Sequence, residues 1–218
     1  MKTLPQLEIS ELFFSIQGES SYGGQPCVFI RLSGCNLRCS YCDAGYTYEE
    51  AGTRQELSAI LAFADQYPGF PVEITGGEPL LQDNVYLLMT ELLAADRRVL
   101  LETNGSISLA KVPAGVARIM DVKCPGSGMA EHLLPDNLEL LGSGDELKFV
   151  LCSRADYEWA VALINKVDLN KAVIIHFSPV AGKLEPAQLA EWILNDQLPV
   201  RLQLQLHKYL WPEVSRGK

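Results

Sequence analysis

The sequence predicts an α/β fold, an incomplete (β/α) barrel in a single domain over residues 1–218. Three observations carry that expectation. Apolar, β-rich runs recur along the chain with helical patterns between them, the signature of βα units wound around a parallel sheet. The six or seven strands outnumber the crossover helices, so full eightfold closure is not expected. A chain of 218 residues, 48% hydrophobic and 21% charged, suffices for one sizeable core and argues against disorder or a coiled coil.

Seven runs read as strands: 27–34 (CVFIRLSG), 72–75 (VEIT), 99–103 (VLLET), 118–123 (RIMDVK), 146–151 (ELKFVL), 172–178 (AVIIHFS) and 201–206 (RLQLQL). Helical patterns fit 54–67, 84–96, 155–165 and 186–195, each between two strands. Asp83 stands where an N-cap would open the second of these helices, and Pro186 occupies the first turn of the last. Residues 124–145, rich in Gly, Pro and Asp and weakly periodic, read as a loop with room for one short helix. The first three strands run into glycines, and in a (β/α) barrel reactive groups gather beyond these C-terminal strand ends.

A formal charge of −9 without a dense Lys/Arg run gives counterion release no source, so a small-molecule substrate is expected and a nucleic-acid partner is not. The opening MKTLPQLEISELFF interrupts any apolar run with Pro5, Glu8 and Glu11, which fits neither a signal peptide nor a membrane span. A cytoplasmic protein is expected. Three of its six cysteines crowd into eight residues, and in that compartment metal or redox chemistry is a better reading than disulfides.

Cys35-Asn-Leu-Arg-Cys39-Ser-Tyr-Cys42 follows the first strand directly and can wrap one corner of a compact inorganic cluster. Soft thiolates select zinc or iron–sulfur. A structural zinc needs four closed ligands, yet no second C-x-x-C or H-x-x-x-H follows, and Cys27 could serve only if its strand turned that side chain toward the loop. Three thiolates on a [4Fe–4S] cubane leave one iron open. That iron can chelate the amino and carboxylate groups of S-adenosylmethionine, so that an electron from the cluster cleaves the sulfonium and releases a 5′-deoxyadenosyl radical. Cys27, Cys124 and Cys152 lack such spacing and read as small buried hydrophobes or incidental thiols.

Two further segments extend the pattern. Thr75-Gly76-Gly77-Glu78-Pro79 resembles the GGEP motif of radical S-adenosylmethionine enzymes, with glycines that let backbone approach a ligand and a Glu78 that could accept from the ligand ammonium. Glu102-Thr103-Asn104-Gly105 resembles their ribose- and substrate-contacting segment, although an Asn-Gly turn ending a strand would read the same way. Within the superfamily, Gln17-Gly18-Glu19-Ser20 resembles the QGEG signature of the 7-carboxy-7-deazaguanine synthases, with Ser20 for the last Gly. Phe29-Ile30-Arg31-Leu32-Ser33-Gly34-Cys35 and Gln205-Leu206-His207-Lys208-Tyr209-Leu210-Trp211 resemble their F-[IV]-R-x-x-G-C and Q-x-H-K-x-x-W segments. The resemblance runs from about residue 8 to the last residue.

It implies a radical S-adenosylmethionine barrel and a lyase that contracts 6-carboxy-5,6,7,8-tetrahydropterin to 7-carboxy-7-deazaguanine with loss of ammonia, in queuosine-type biosynthesis. The adenosyl radical would take a hydrogen from C6 of the substrate. It also implies a homodimer fed by an electron donor such as flavodoxin or ferredoxin. Cys35, Cys39 and Cys42 would hold the cluster, with Tyr41, Asp43, Gly77, Glu78, Gly105 and Lys123 around the cofactor. Ile16, Gln17, Gly18, Arg31, Thr103 and His207 would meet the substrate, Arg31 as the fork for its carboxylate. Asp121 replaces the usual Ser of an S-x-K strand end whose Lys is Lys123. The family also uses Mg²⁺, held by a hydroxyl two residues after the last cysteine; here Ala44 stands there, and a methyl cannot bind a hard cation, which puts Mg²⁺ in doubt unless Asp43 or Thr47 compensates. Of the histidines, His132 reads as solvated and His176 as a satisfied core group, while His207 is open between site and structure. Two alternatives stay open: a glycyl-radical activase sharing the cysteine spacing, and a zinc- or cluster-bearing binding protein in which GGEP and ETNG are mere turns.

Overall fold

In the computed structural model, which describes residues 4–167, 172–214 and 216–218, the chain opens on a hairpin: β1 (Gln6–Ile16) pairs antiparallel with β2 (Pro26–Leu32), Phe13 opposite Phe29. The first three residues of the opening segment lie outside the described residues. A single helical turn, α1 (Tyr46–Glu49), and a short β3 (Thr53–Glu56) follow, β3 joining the free edge of β1. Then come α2 (Leu57–Ala64), β4 (Val72–Gly76), α3 (Asn84–Ala94), β5 (Val99–Thr103), β6 (Ala117–Lys123), α4 (Asp136–Glu139), β7 (Glu146–Leu151), α5 (Arg154–Lys166), β8 (Ile174–Pro179), α6 (Pro186–Asn195), β9 (Arg201–Leu202) and α7 (Leu206–Leu210). The sheet order is β3-β1-β2-β4-β5-β6-β7-β8-β9, parallel from β2 to β9, with β3 and β9 left as unpaired edges. This is the expected incomplete barrel.

Strand period 2 divides the sheet chemically. One face presents Val28, Ile30, Ile74, Leu101, Val122 and Phe149 to Leu88, Met89, Leu92 and Tyr157 of the outer helices, forming the core. The alternate positions face the lumen and are largely polar: Arg31, Glu73, Glu102, Asp121, Glu146, Lys148 and His176. Burial on both faces makes these strands near-continuously inaccessible, so every charge among them needs a partner.

Several elements depart from the sequence reading. No strand is predicted before residue 27, yet β1 is the longest. Its register shifts between Ile9 and Glu11, so Leu7 and Ile9 point to the core before the shift, and Leu12 and Phe14 pack there after it. The bulge breaks the alternation that would reveal a strand. The helix expected at 54–67 is shorter, Leu57–Ala64, because polar, mostly exposed Thr53–Glu56 is drawn into extended pairing with β1. Asp83 is helical and makes no side-chain cap, whereas Pro186 does open α6. The run 201–206 keeps only two strand residues at an exposed edge; the Leu206 N–H bonds the Gly18 carbonyl at 2.9 Å and the chain turns into α7. The 172–178 strand starts at Ile174, and 27–34 ends at Leu32, where Gly34 (φ 94°) swings the chain out of the sheet. Residues 124–145 hold α4 and two 3-10 turns.

Candidate active site

Beyond the C-terminal strand ends lies a cavity of about 360 Å³. The loop after β2 forms one wall and carries Cys35, Cys39 and Cys42, all free thiols that border the cavity. Backbone and side-chain bonds fix its path. The Leu37 N–H points at Cys35 Sγ (3.4 Å), the Arg38 guanidinium donates to the carbonyls of Cys35 (2.9 Å) and Leu37 (2.6 Å), and Ser40 donates to Ser127 and Gly126. Tyr41 donates its hydroxyl to the Val150 carbonyl (2.9 Å), tying the loop to β7, so that hydroxyl serves the loop. Burial pushes the Cys35 and Cys39 thiols up, which a cluster would reverse by taking them as thiolates. Cys27, by contrast, is buried on β2 against the Pro71 carbonyl and does not border the cavity.

The paired glycines at the end of β4 answer to the protein as much as to a ligand. A Cβ on Gly76 would lie 2.4 Å from the Leu32 carbonyl oxygen, and one on Gly77 would lie 2.2 Å from the Gly34 oxygen and 2.6 Å from Cys35 Cβ. Their bareness lets β4 press against the root of the cysteine loop. Gly77→Ala is therefore expected to cost roughly 1–3 kcal/mol of stability by overpacking and to lower iron uptake on reconstitution, read by thermal unfolding and by iron content. Unchanged values in both would mean the loop yields freely.

Glu78 is fully buried and does not border the cavity. Its carboxylate accepts from the Thr103 hydroxyl (2.9 Å), the Asn104 N–H (2.7 Å) and the Leu80 N–H (3.0 Å). Burial raises its pKa against those bonds. Three internal donors engage a carboxylate that has about four acceptor sites, and Glu78 thereby orients Thr103 and Asn104, which do border the cavity. Gly105 is also behind the wall; its carbonyl accepts from Leu134 and Asn137, and its φ of 73° marks a turn only glycine adopts easily.

Ile16, Gln17, Gly18, Arg31 and His207 border the same cavity, together with Thr103, Asp43 and Lys123. His207 packs on Gly18, where a Cβ would fall 2.2 Å from Nδ1, so its place is at the site. The Gln17 amide, which also borders the cavity, donates to Glu73 and accepts from the Glu19 N–H (3.1 Å). Arg31 lies over Phe13 (5.6 Å to the ring centre), its Nε buried without a hydrogen-bond partner and the guanidinium without an ion-pair partner among the described residues. An anion arriving there would complete it. His132 is exposed on a 3-10 turn, and His176 is buried with Nε2 2.9 Å from Glu146, away from the cavity.

Sequence reasoning missed the lumen's charge network. Lys123 meets Asp121 at 3.0 Å, and the same carboxylate meets Lys148 at 3.2 Å; Lys148 also meets Glu19 and Glu102. Burial alone would lower the pKa of Lys148, but Asp121, Glu102 and Glu19 outweigh it and hold it well above the usual lysine value. Glu73 goes the other way: burial, reinforced by Glu102, pushes it well above the usual carboxylate value. The signal was available as a charged residue at alternate positions inside otherwise apolar strands.

Residues 29–121 match the family model of the radical SAM superfamily. The chain is 46% identical over its full length and the relative's to 7-carboxy-7-deazaguanine synthase of Chlorobaculum tepidum, and 43% identical to that of Koribacter versatilis, covering 97% of this chain and all of the relative. Among solved structures, QueE from Escherichia coli superposes with a TM-score of 0.76 at 24% identity, over 92% of this chain and 94% of that one, which supports the fold.

Proposed function

The chain belongs to the 7-carboxy-7-deazaguanine synthase family of radical S-adenosylmethionine enzymes, and from that membership we propose that it converts 6-carboxy-5,6,7,8-tetrahydropterin to 7-carboxy-7-deazaguanine with loss of ammonia, as a carbon–nitrogen lyase. The observation that carries the reading is that three free thiols and an Arg31 with no ion-pair partner among the described residues border one cavity. The donor set fits the cluster: three soft sulfurs on one loop and no fourth among the residues bordering the cavity, which leaves one iron for a ligand. When bound, the cluster supplies the electron that cleaves S-adenosylmethionine to the hydrogen-abstracting radical.

The chain's own residues do the positioning. Arg31 offers a planar fork to the substrate carboxylate, and Phe13 beneath it limits its swing. Glu78 accepts from the Thr103 hydroxyl and so fixes Thr103 at the cavity wall, and Lys123, paired with Asp121, lies near Cys39. Six free cysteines accord with a reducing cytoplasm, and no helix among the described residues is long and apolar enough to cross a membrane. Membership also motivates a homodimer and a flavodoxin- or ferredoxin-type donor.

Mg²⁺ fits poorly. Ala44 offers no oxygen from its side chain, the buried Thr47 hydroxyl donates to the Ala44 carbonyl at 2.7 Å, and Asp43 pairs with Lys208 at 3.0 Å. No step is derived through it. Turnover of chelator-treated enzyme is expected to depend on Mg²⁺ less than that of Ala44→Thr; a natural protein inert without Mg²⁺ and saturating no later than the Thr variant would refute this. The function itself is tested by anaerobic reconstitution, then reductive formation of 5′-deoxyadenosine, then release of 7-carboxy-7-deazaguanine and ammonia from the carboxypterin. Cleavage without that product would reassign the substrate.

A further inference from the structure

Lys148 projects from β7 with only 4% of its side chain exposed, and three carboxylates meet its ammonium: Glu19 at 2.9 Å, Asp121 at 3.2 Å and Glu102 in closer contact. An ammonium has three N–H donors, so Lys148 is saturated. Its partners come from three separate stretches: the loop after β1, β5 and β6. Each leads on to one side of the cavity. Glu19 accepts from Gln205 Nε2 at 2.8 Å, next to the point where the Leu206 N–H bonds the Gly18 carbonyl. That arm therefore carries Gln17, Gly18 and, through α7, His207. Asp121 shares its oxygen with Lys123, and Glu102 accepts from the Thr75 hydroxyl at 3.2 Å, which places the other two arms at the strand ends beside the cysteine loop.

We propose that Lys148 is a positioning residue, the buried ammonium that holds the Gln17–Glu19 segment and α7 against the strand ends carrying Thr75 and Lys123, so that the two halves of the site face each other. Which half receives substrate and which the cofactor rests on the function proposed above; the clamp itself does not. The physics is asymmetric. Glu102 and Asp121 sit in central strands held by ladder bonds, whereas Glu19 sits in a loop. Without the ammonium, three converging carboxylates repel in a medium that screens poorly, with Glu73 beside them and only the more distant Arg31, Lys123 and His207 as countercharges. The loop is the arm that gives way.

The test is Lys148→Met and Lys148→Arg in the reconstituted holoenzyme. For Lys148→Met, amide exchange in residues 17–21 and 203–211 is expected to speed by about tenfold or more, while β6 and β8 stay protected. KM for the carboxypterin rises by about tenfold with a smaller change in kcat, and Lys148→Arg, which keeps the charge, recovers most of both. Unchanged exchange in folded Lys148→Met overturns the proposal, and so does a raised KM with unchanged exchange, since Lys148 would then act on substrate directly. If Lys148→Met does not fold, Glu19→Ala removes the one loop arm and is read by the same exchange. Failure of the natural protein to turn over the carboxypterin would remove the proposed function while leaving the exchange result to decide the clamp.

Discussion

Replacing any one of Cys35, Cys39 or Cys42 with Ala is expected to abolish reductive cleavage of S-adenosylmethionine, while the same change at Cys27 or Cys152 leaves it intact. The three loop thiols border one cavity and the other two do not. Cys27 is sealed in β2, and Cys152 donates to Asp156 at 3.0 Å on the start of α5. A cluster with three protein ligands has no redundancy: losing one thiolate leaves an iron to water and the cubane labile. The measurement is 5′-deoxyadenosine formed under dithionite by reconstituted protein, with iron content alongside. Full cleavage by Cys39→Ala would sink the assignment, because Cys39 is the middle ligand of the loop and lies beside Lys123.

How much of this was legible beforehand depends on whether a residue announces itself locally. The parallel strands β4 to β8 were, since each is a short apolar run ending in a turn or glycine. β1 was not, because the register shift near Ser10 moves the core-facing positions from odd residues (Leu7, Ile9) to even ones (Leu12, Phe14) and so breaks the alternation. β3 was not, because a polar edge strand is created by its neighbour rather than by its own sequence. The site follows the same division. The cysteine spacing and the strand-end glycines are local patterns, and the residues they pick out border one cavity.

What each side chain does there is a tertiary matter. Glu78 reads as a ligand contact and Gln17 as a substrate amide, and neither the three internal donors on Glu78 nor the bond from Gln17 to Glu73 is visible in the sequence. Lys148 sits inside ELKFVL, where a lone cation in an apolar strand is most simply read as pointing outward. Only the register, which sets Asp121 beside Lys148 and Lys148 beside His176, shows that this face is the lumen. Charges at period 2 across consecutive strands are the pattern that would have exposed it.

Arg31→Ala is expected to lower kcat/KM for the carboxypterin by about 2–5 kcal/mol of transition-state stabilisation, while S-adenosylmethionine still binds and cleavage in the absence of substrate persists. The guanidinium has its apolar support in Phe13, a buried Nε without a hydrogen-bond partner, and no carboxylate paired with it among the described residues. A cation so placed is poorly satisfied in the free protein and gains most when a carboxylate arrives, which is the condition for a large loss on truncation. Arg31→Lys separates charge from shape. A single ammonium keeps the attraction but lacks the planar fork, so it should recover part of the loss, chiefly in KM. Steady-state kinetics on the three proteins, with S-adenosylmethionine affinity measured separately, decide the matter. An unchanged kcat/KM in Arg31→Ala would mean that the substrate carboxylate is held elsewhere, with Lys208 beside Asp43 the next cation on the cavity wall to examine.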